Sequence, residues 1–349
     1  MITRLVILLG CAHGLHDMSS AWLVAIHAGD GKWSGVLTAL LLFNVAAFAL
    51  QPLWGLIADH WLLHRIMALA GLAVSALLLL LPLSNFWLLL VLQGCASAAF
   101  HVGAGGWIVS RTDKALPLGV FAAPGVMGLA IGVLGAQLTL PFAGPLALLL
   151  AIVAIFLLWG TNEKQAAERT PAVSQKSMLP SFSSFTALTG GSVILLVMLI
   201  ALRSAVWLDW HARLQADAAL LVSLVLAAAL GKLLGGWSAD RYGALRWSLT
   251  ALALSAAFSA LVVLHPAFVL PAAACLQSAT PAMWRLLANV LPLSPGLSTG
   301  LALGLAIALG GLPLWLGWPG DGLVTLLWIA FALFTMCDLA GRRMATAKS

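Results

Sequence analysis

The residues with most chemistry in them stand where chemistry is expensive, inside apolar stretches. His13, His16 and Asp17 lie in LVILLGCAHGLHDMSSAW, spaced i, i+3, i+4, which puts all three on one helical face. His13 and Asp17 are one turn apart and can share a proton or a hydrogen bond. Burial and mutual attraction act in opposite directions on the protonation of each, so such a pair can exchange a proton near neutral pH. The plainer reading is a tie between this helix and a neighbour. His101, in ASAAFHVGAGG, is a fourth titratable group of this kind, and Gln93 two turns earlier reads as a structural hydrogen bonder. Arg203 interrupts LLVMLIALRSAVWLDW. A guanidinium stays charged, so it must pair or reach water. An anionic ligand, Asp17, or the nearby helix end by snorkelling are its three options. Gln277, Arg285 and Asn289 share one later stretch, where Arg285 is either a ligand contact or an anchor at the helix end. Lys232, in LGKLLGG, either lines a cavity or pairs near Asp240.

The elements that must position these groups follow from composition. Of 349 residues, Lys+Arg number 17 and Asp+Glu 11, so 8% are charged, 62% are hydrophobic and mean hydropathy is +1.06. A water-facing surface cannot be built from so little charge, which excludes a cytosolic enzyme and a disordered chain alike. A spanning helix needs about 20 apolar residues. Twelve are expected, near 3–27, 33–58, 65–83, 86–110, 117–140, 143–160, 188–208, 217–239, 246–264, 267–289, 297–317 and 321–341. Residues 161–187 are polar and read as a cytoplasmic linker between an N-terminal six-helix bundle, 1–160, and a C-terminal one, 188–349. The fold class is therefore an all-α membrane protein. MITRLVILLG looks like the start of a signal peptide, but no polar domain follows, so a retained first helix is expected.

Charge sets the orientation. With the N-terminus inside, thirteen of the 17 Lys and Arg fall on inner segments, two (Lys32 and Arg213) on outer loops, and two (Arg203 and Lys232) within spans. That asymmetry places both termini in the cytoplasm of a cell that carries the protein in its inner membrane. The net charge of +6 and pI of 9.6 thus reflect loop charge, not nucleic-acid binding. Cys11, Cys95, Cys275 and Cys337 lie in apolar runs with no metal or disulfide spacing. Trp33, Trp61, Trp87, Trp159, Trp210, Trp247 and Trp318 fall near helix ends, as an interfacial belt expects. Gly128/Gly132, Gly231/Gly235 and Gly300/Gly304 have the spacing of close helix contacts.

The halves repeat. Gly55-Leu-Ile-Ala58-Asp59 with Arg65 recurs as Gly236-Trp-Ser-Ala239-Asp240 with Arg246, at a constant offset of 181 residues. Parallel repeats imply two halves related by an axis along the membrane normal. At these residues the chain resembles the major facilitator superfamily: GLIADHWLLHR and GGWSADRYGALR are similar to its signature loop, the first copy lacking the Gly after the Asp. His16-Asp17-Met18, Leu50-Gln51-Pro52-x-x-Gly55 and Gly94-x-x-Ser97-x-x-Phe100-His101 resemble the fosmidomycin-resistance type of drug efflux protein. That type has Pro-Glu after the His, where this chain has Val102-Gly103. Pro124-Gly125 is similar to part of an antiporter motif. The resemblance implies that helices 1, 4, 7 and 10 line a central cavity. It also implies that Asp59, Arg65, Asp240, Arg241 and Arg246 hold the inner side shut in one state.

The function expected is a monomeric secondary transporter with no cofactor, moving a small amphipathic or anionic compound by alternating access, with proton-coupled efflux leading. Substrate or protons are expected at His13, His16, Asp17, His101, Arg203, Gln277 and Arg285. Uptake of an organic anion is the close rival. A divalent-metal transporter using His13, His16, Asp17 and His101 ranks behind it, as does a membrane-embedded acyltransferase on His13-x-x-x-Asp17, which lacks an accompanying nucleophile.

Overall fold

In lipid the backbone must satisfy its own hydrogen bonds, so apolar runs of this length become helices. The computed structural model describes residues 2–29, 36–81, 85–159, 187–214 and 217–317. The N-terminal half holds α1 (Ile2–Gly29), α2 (Val36–Asn44), α3 (Gln51–Trp61), α4 (His64–Leu80), α5 (Phe86–Val109), α6 (Leu116–Gln137) and α7 (Ala143–Trp159). The C-terminal half holds α8 (Ala187–Arg213), α9 (Ala218–Tyr242), α10 (Ala244–Leu261), α11 (Val269–Val290), α12 (Pro295–Thr299) and α13 (Ala306–Trp315). The expected twelfth helix, 321–341, and the linker lie outside the described residues.

The second and eleventh expected helices are each broken by a π turn. Val45–Ala49 joins α2 to α3, and Gly300–Leu305 joins α12 to α13. The first break has a local cause. Pro52 offers no N–H to the carbonyl of Phe48. Gly304 of the other half bears on that carbonyl, where an added Cβ would sit 2.5 Å from the oxygen.

Among the described residues, seven helical segments are long and apolar enough to cross a membrane, and α4 and α7 are shorter apolar helices. The long helices α1 and α11 are absent from that set, because their more numerous polar residues lower their hydropathy. Leu148, Ile194 and Leu230 face outward, while Phe100, Phe121 and Trp284 are fully buried between helices. Trp61, Trp87 and Trp159 are exposed near helix ends, but Trp210 is buried and is no part of a belt. Cys11, Cys95 and Cys275 are free thiols.

Glycine sets the closest approaches. Gly128 and Gly132 of α6 lie on the carbonyls of Gly14 and Met18, and Gly231 and Gly235 of α9 lie on those of Ala274 and Ser278. These contacts lock α1 to α6 and α9 to α11, the helices that present the site.

Candidate functional site

His13, Asp17 and His101 converge. Asp17 Oδ2 is 3.1 Å from His13 Nε2 and its Oδ1 is 3.4 Å from His101 Nε2. The two Nε2 atoms are 3.0 Å apart. All three residues are buried. The outer edges of the imidazoles are fixed by backbone: His13 Nδ1 lies 2.8 Å from the Phe121 carbonyl, and His101 Nδ1 lies 2.8 Å from that of Ser97. A carbonyl only accepts, so each Nδ1 must carry the hydrogen and donate it. Each neutral imidazole then turns a bare Nε2 lone pair inward. Two such lone pairs and a carboxylate facing one another at these distances repel unless a proton or cation lies among them.

The same three groups are the described cluster close enough to hold a metal, with donor atoms all within 4.8 Å of each other. A tetrahedral zinc bound at Zn–N near 2.0–2.1 Å would hold its nitrogens about 3.3 Å apart. The 3.0 Å separation is shorter and matches an N–H···N hydrogen bond, which needs one added proton on either Nε2.

Gly125 completes this pocket. A Cβ there would collide with His13 Nε2 and come 2.8 Å from Asp17 Oδ2. Pro124 precedes it inside α6. The turn just before this proline supplies the Phe121 carbonyl to His13 and, one residue on, the Ala122 carbonyl to Lys232 Nζ of the other half, 3.2 Å away. Lys232 thus bonds across the halves and does not pair with Asp240.

His16 stands apart from the triad. Its Nδ1 faces Ser75 Oγ at 3.2 Å and its ring stacks on Phe100 at 4.7 Å. Gln93 donates to Ser20 Oγ at 2.6 Å and Ser75 Oγ at 3.1 Å, the structural role its position suggested.

Arg203 of α8 is 5% exposed, so it does not snorkel, and it does not pair with Asp17. Its Nη1 donates to Gln277 Oε1 at 2.9 Å and its Nη2 to Ser204 Oγ at 3.2 Å. Among the described residues its Nε meets no acceptor. Asp209 pairs with Arg213 instead, at 2.9 Å. Arg285 leaves the cavity: Nε bonds Asn289 Oδ1 at 2.9 Å and Nη1 bonds the Thr112 carbonyl at 2.7 Å, across the halves.

A second cluster closes the expected cytoplasmic end. Asp59 accepts from the backbone N–H of Gly296 at 2.7 Å and of Leu297 at 2.8 Å, at the start of α12. Asp240 accepts from Ala115 N at 2.6 Å and Leu116 N at 3.1 Å, at the start of α6. Each carboxylate neutralises the positive end of a helix of the opposite half. The two contacts obey the sequence repeat on both sides: 59, 115 and 116 plus 181 give 240, 296 and 297. So do the glycines, because Gly119 lies on the Lys232 carbonyl and Gly300 on that of Gln51, with 119 and 51 plus 181 giving 300 and 232.

The bases expected here behave differently. Arg65 Nη2 donates to the Leu158 carbonyl at 2.7 Å, within its own half. Arg241 lies over Trp237 and Tyr242 of its own helix, and Arg246 is exposed. His64, which sequence reasoning passed over, is the side chain on Asp59, with Nε2 to Oδ1 2.9 Å. The missing signature glycine also has a structural counterpart. Leu62 adopts φ 55° where its repeat mate Gly243 adopts φ 91°.

No sequence-family profile matches the chain, and no curated protein matches its sequence significantly. Solved structures do match its fold. The major facilitator superfamily transporter FucP in the outward conformation aligns with TM-score 0.74 and 11% identity, over 95% of this chain and 97% of that one. The E. coli fucose:proton symporter FucP (N162A) aligns with TM-score 0.69 and 13% identity, over 95% and 97%. The chain therefore has the fold of the major facilitator transporters.

Proposed function

We propose that this protein is a proton-coupled secondary transporter for a small molecule, working by alternating access. His13, Asp17 and His101 hold the coupling proton. The observation behind this reading is the inward convergence of a carboxylate and two imidazoles whose Nδ1 hydrogens are committed elsewhere. One bound proton turns their repulsion into hydrogen bonds. Its loss frees Asp17 to attract Lys232, a cation of the other half that feels its charge. The fold shared with a proton symporter agrees with this reading.

Asp59 and Asp240, helped by Arg285, act as the cytoplasmic gate in this state. Opening inward requires the halves to part there. His16 is a packing residue in this account, and the fosmidomycin-resistance likeness contributes only the motifs already named.

The test is transport in proteoliposomes containing a pH-sensitive dye. The wild type should acidify or alkalinise the lumen when a transported solute is added, and Asp17→Asn and His101→Ala should abolish that change. Proton flux unaltered in both variants overturns the assignment. Zinc-dependent flux in place of proton flux would move it to the metal reading.

A further inference from the structure

We infer that Arg203 anchors a subsite for an organic carboxylate, which crosses with the proton in an electroneutral symport. The inference rests on the proton-coupled reading above and supplies its substrate class.

Arg203 is a permanent charge with almost no exposure. A buried unpaired ion costs several kcal/mol, so a cation in such a place normally has a carboxylate partner. Among the described residues, the hydrogen-bond partners of Arg203 are all neutral. Gln277 Oε1 accepts from it and from Thr280 Oγ1 at 3.3 Å. Ser204 Oγ accepts from it and spends its own hydrogen on the Ile200 carbonyl at 2.9 Å. These contacts orient the guanidinium without neutralising it. The unpartnered Nε lies on the edge that, with Nη2, takes a planar carboxylate side-on. Lys232 adds a second positive charge that Arg203 feels, and among the described residues its ammonium bonds one carbonyl, that of Ala122.

The charge balance points to symport. Mid-span, the described ionic groups are Asp17, Arg203 and Lys232, a net +1 when the triad is deprotonated. Adding one proton and one monocarboxylate leaves that sum unchanged. Adding either alone changes it by one charge. Movement with both bound or neither bound therefore carries the same charge through the low-dielectric middle of the protein.

The experiment is thermal stability of the purified full chain with sodium lactate, pyruvate or benzoate, each against its neutral amide. At least one carboxylate should raise the melting temperature by several degrees while its amide does not. The rise should vanish in both Arg203→Gln and Arg203→Met and persist in Asp17→Asn. Arg203→Met should also melt no lower than wild type without ligand, since an uncompensated buried charge has gone. Stabilisation by no carboxylate, or stabilisation that survives Arg203→Gln, overturns the subsite. In reconstituted vesicles, carboxylate-driven proton uptake insensitive to a potassium-valinomycin potential supports electroneutral symport, and a flux that follows the potential overturns it. If only the carboxylate effect is missing while Asp17→Asn still abolishes proton flux, this inference falls and the proton-coupled reading stands.

Discussion

Among the described residues Asp17 pairs with two histidines and no arginine, and that choice of partners governs its chemistry. A guanidinium beside it would hold the carboxylate charged permanently, whereas imidazoles let the charge come and go. Asp17→Asn should therefore uncouple transport and spare solute exchange at equal pH on both sides, read as counterflow of labelled solute in proteoliposomes. Gly125→Ala puts a methyl group against His13 and Asp17. Alanine favours a helix over glycine by about 1 kcal/mol, so the variant should fold normally. It should nonetheless lose pH-driven transport at least as fully as His101→Ala. The sequence exposed the polar partners of this pocket, because an ionisable group in an apolar run is conspicuous. It marked Gly125 only as half of the Pro124-Gly125 step and not as part of this pocket, since one glycine among 33 carries no sign of what its missing Cβ would strike. Nor did it reveal that Arg203 turns to Gln277 and not to Asp17, a choice made by side-chain packing across helices.

At the scale of the element, the ends of α3 and α9 compare one device built twice. Gly243 ends α9 with positive φ at no steric cost, and Leu62 ends α3 with φ 55° at a cost of about 1–2 kcal/mol. Leu62 is 61% exposed, so little packing is lost by trimming it. Leu62→Gly should stabilise the protein by about 1 kcal/mol, and Gly243→Leu should destabilise it by a similar amount or more, both read from thermal unfolding. The missing glycine was visible in the loop motif, and its conformational consequence was not. The π turns were equally hidden: hydrophobic periodicity reads through them, and they face each other where Gly300 and Gly304 lie against Phe48, Gln51 and Pro52 of the opposite half.

For the whole molecule, the 181-residue offset is the organising fact. It was legible in the two Asp loops, and applying it to residues 115 and 116 gives the second pair of capped helix starts. What the repeat alone did not say is that the caps are crossed, each half closing the other. Removing one charge while keeping the side-chain shape, as in Asp59→Asn or Asp240→Asn, should weaken closure by about 1 kcal/mol, shifting the open-to-closed ratio about fivefold. A cysteine placed at buried Ser298 reports this as faster labelling by an impermeant maleimide added from the cytoplasmic side. Unchanged labelling in both variants would remove the gate.

The central claim concerns where hydrogens sit among three buried side chains, and nitrogen-15 NMR of the histidines in lipid reads this directly. At neutral pH, His13 and His101 should both show protonated Nδ1, with one additional proton shared between their Nε2 atoms and lost in Asp17→Asn. Two neutral imidazoles each carrying its hydrogen on Nε2 would contradict the account.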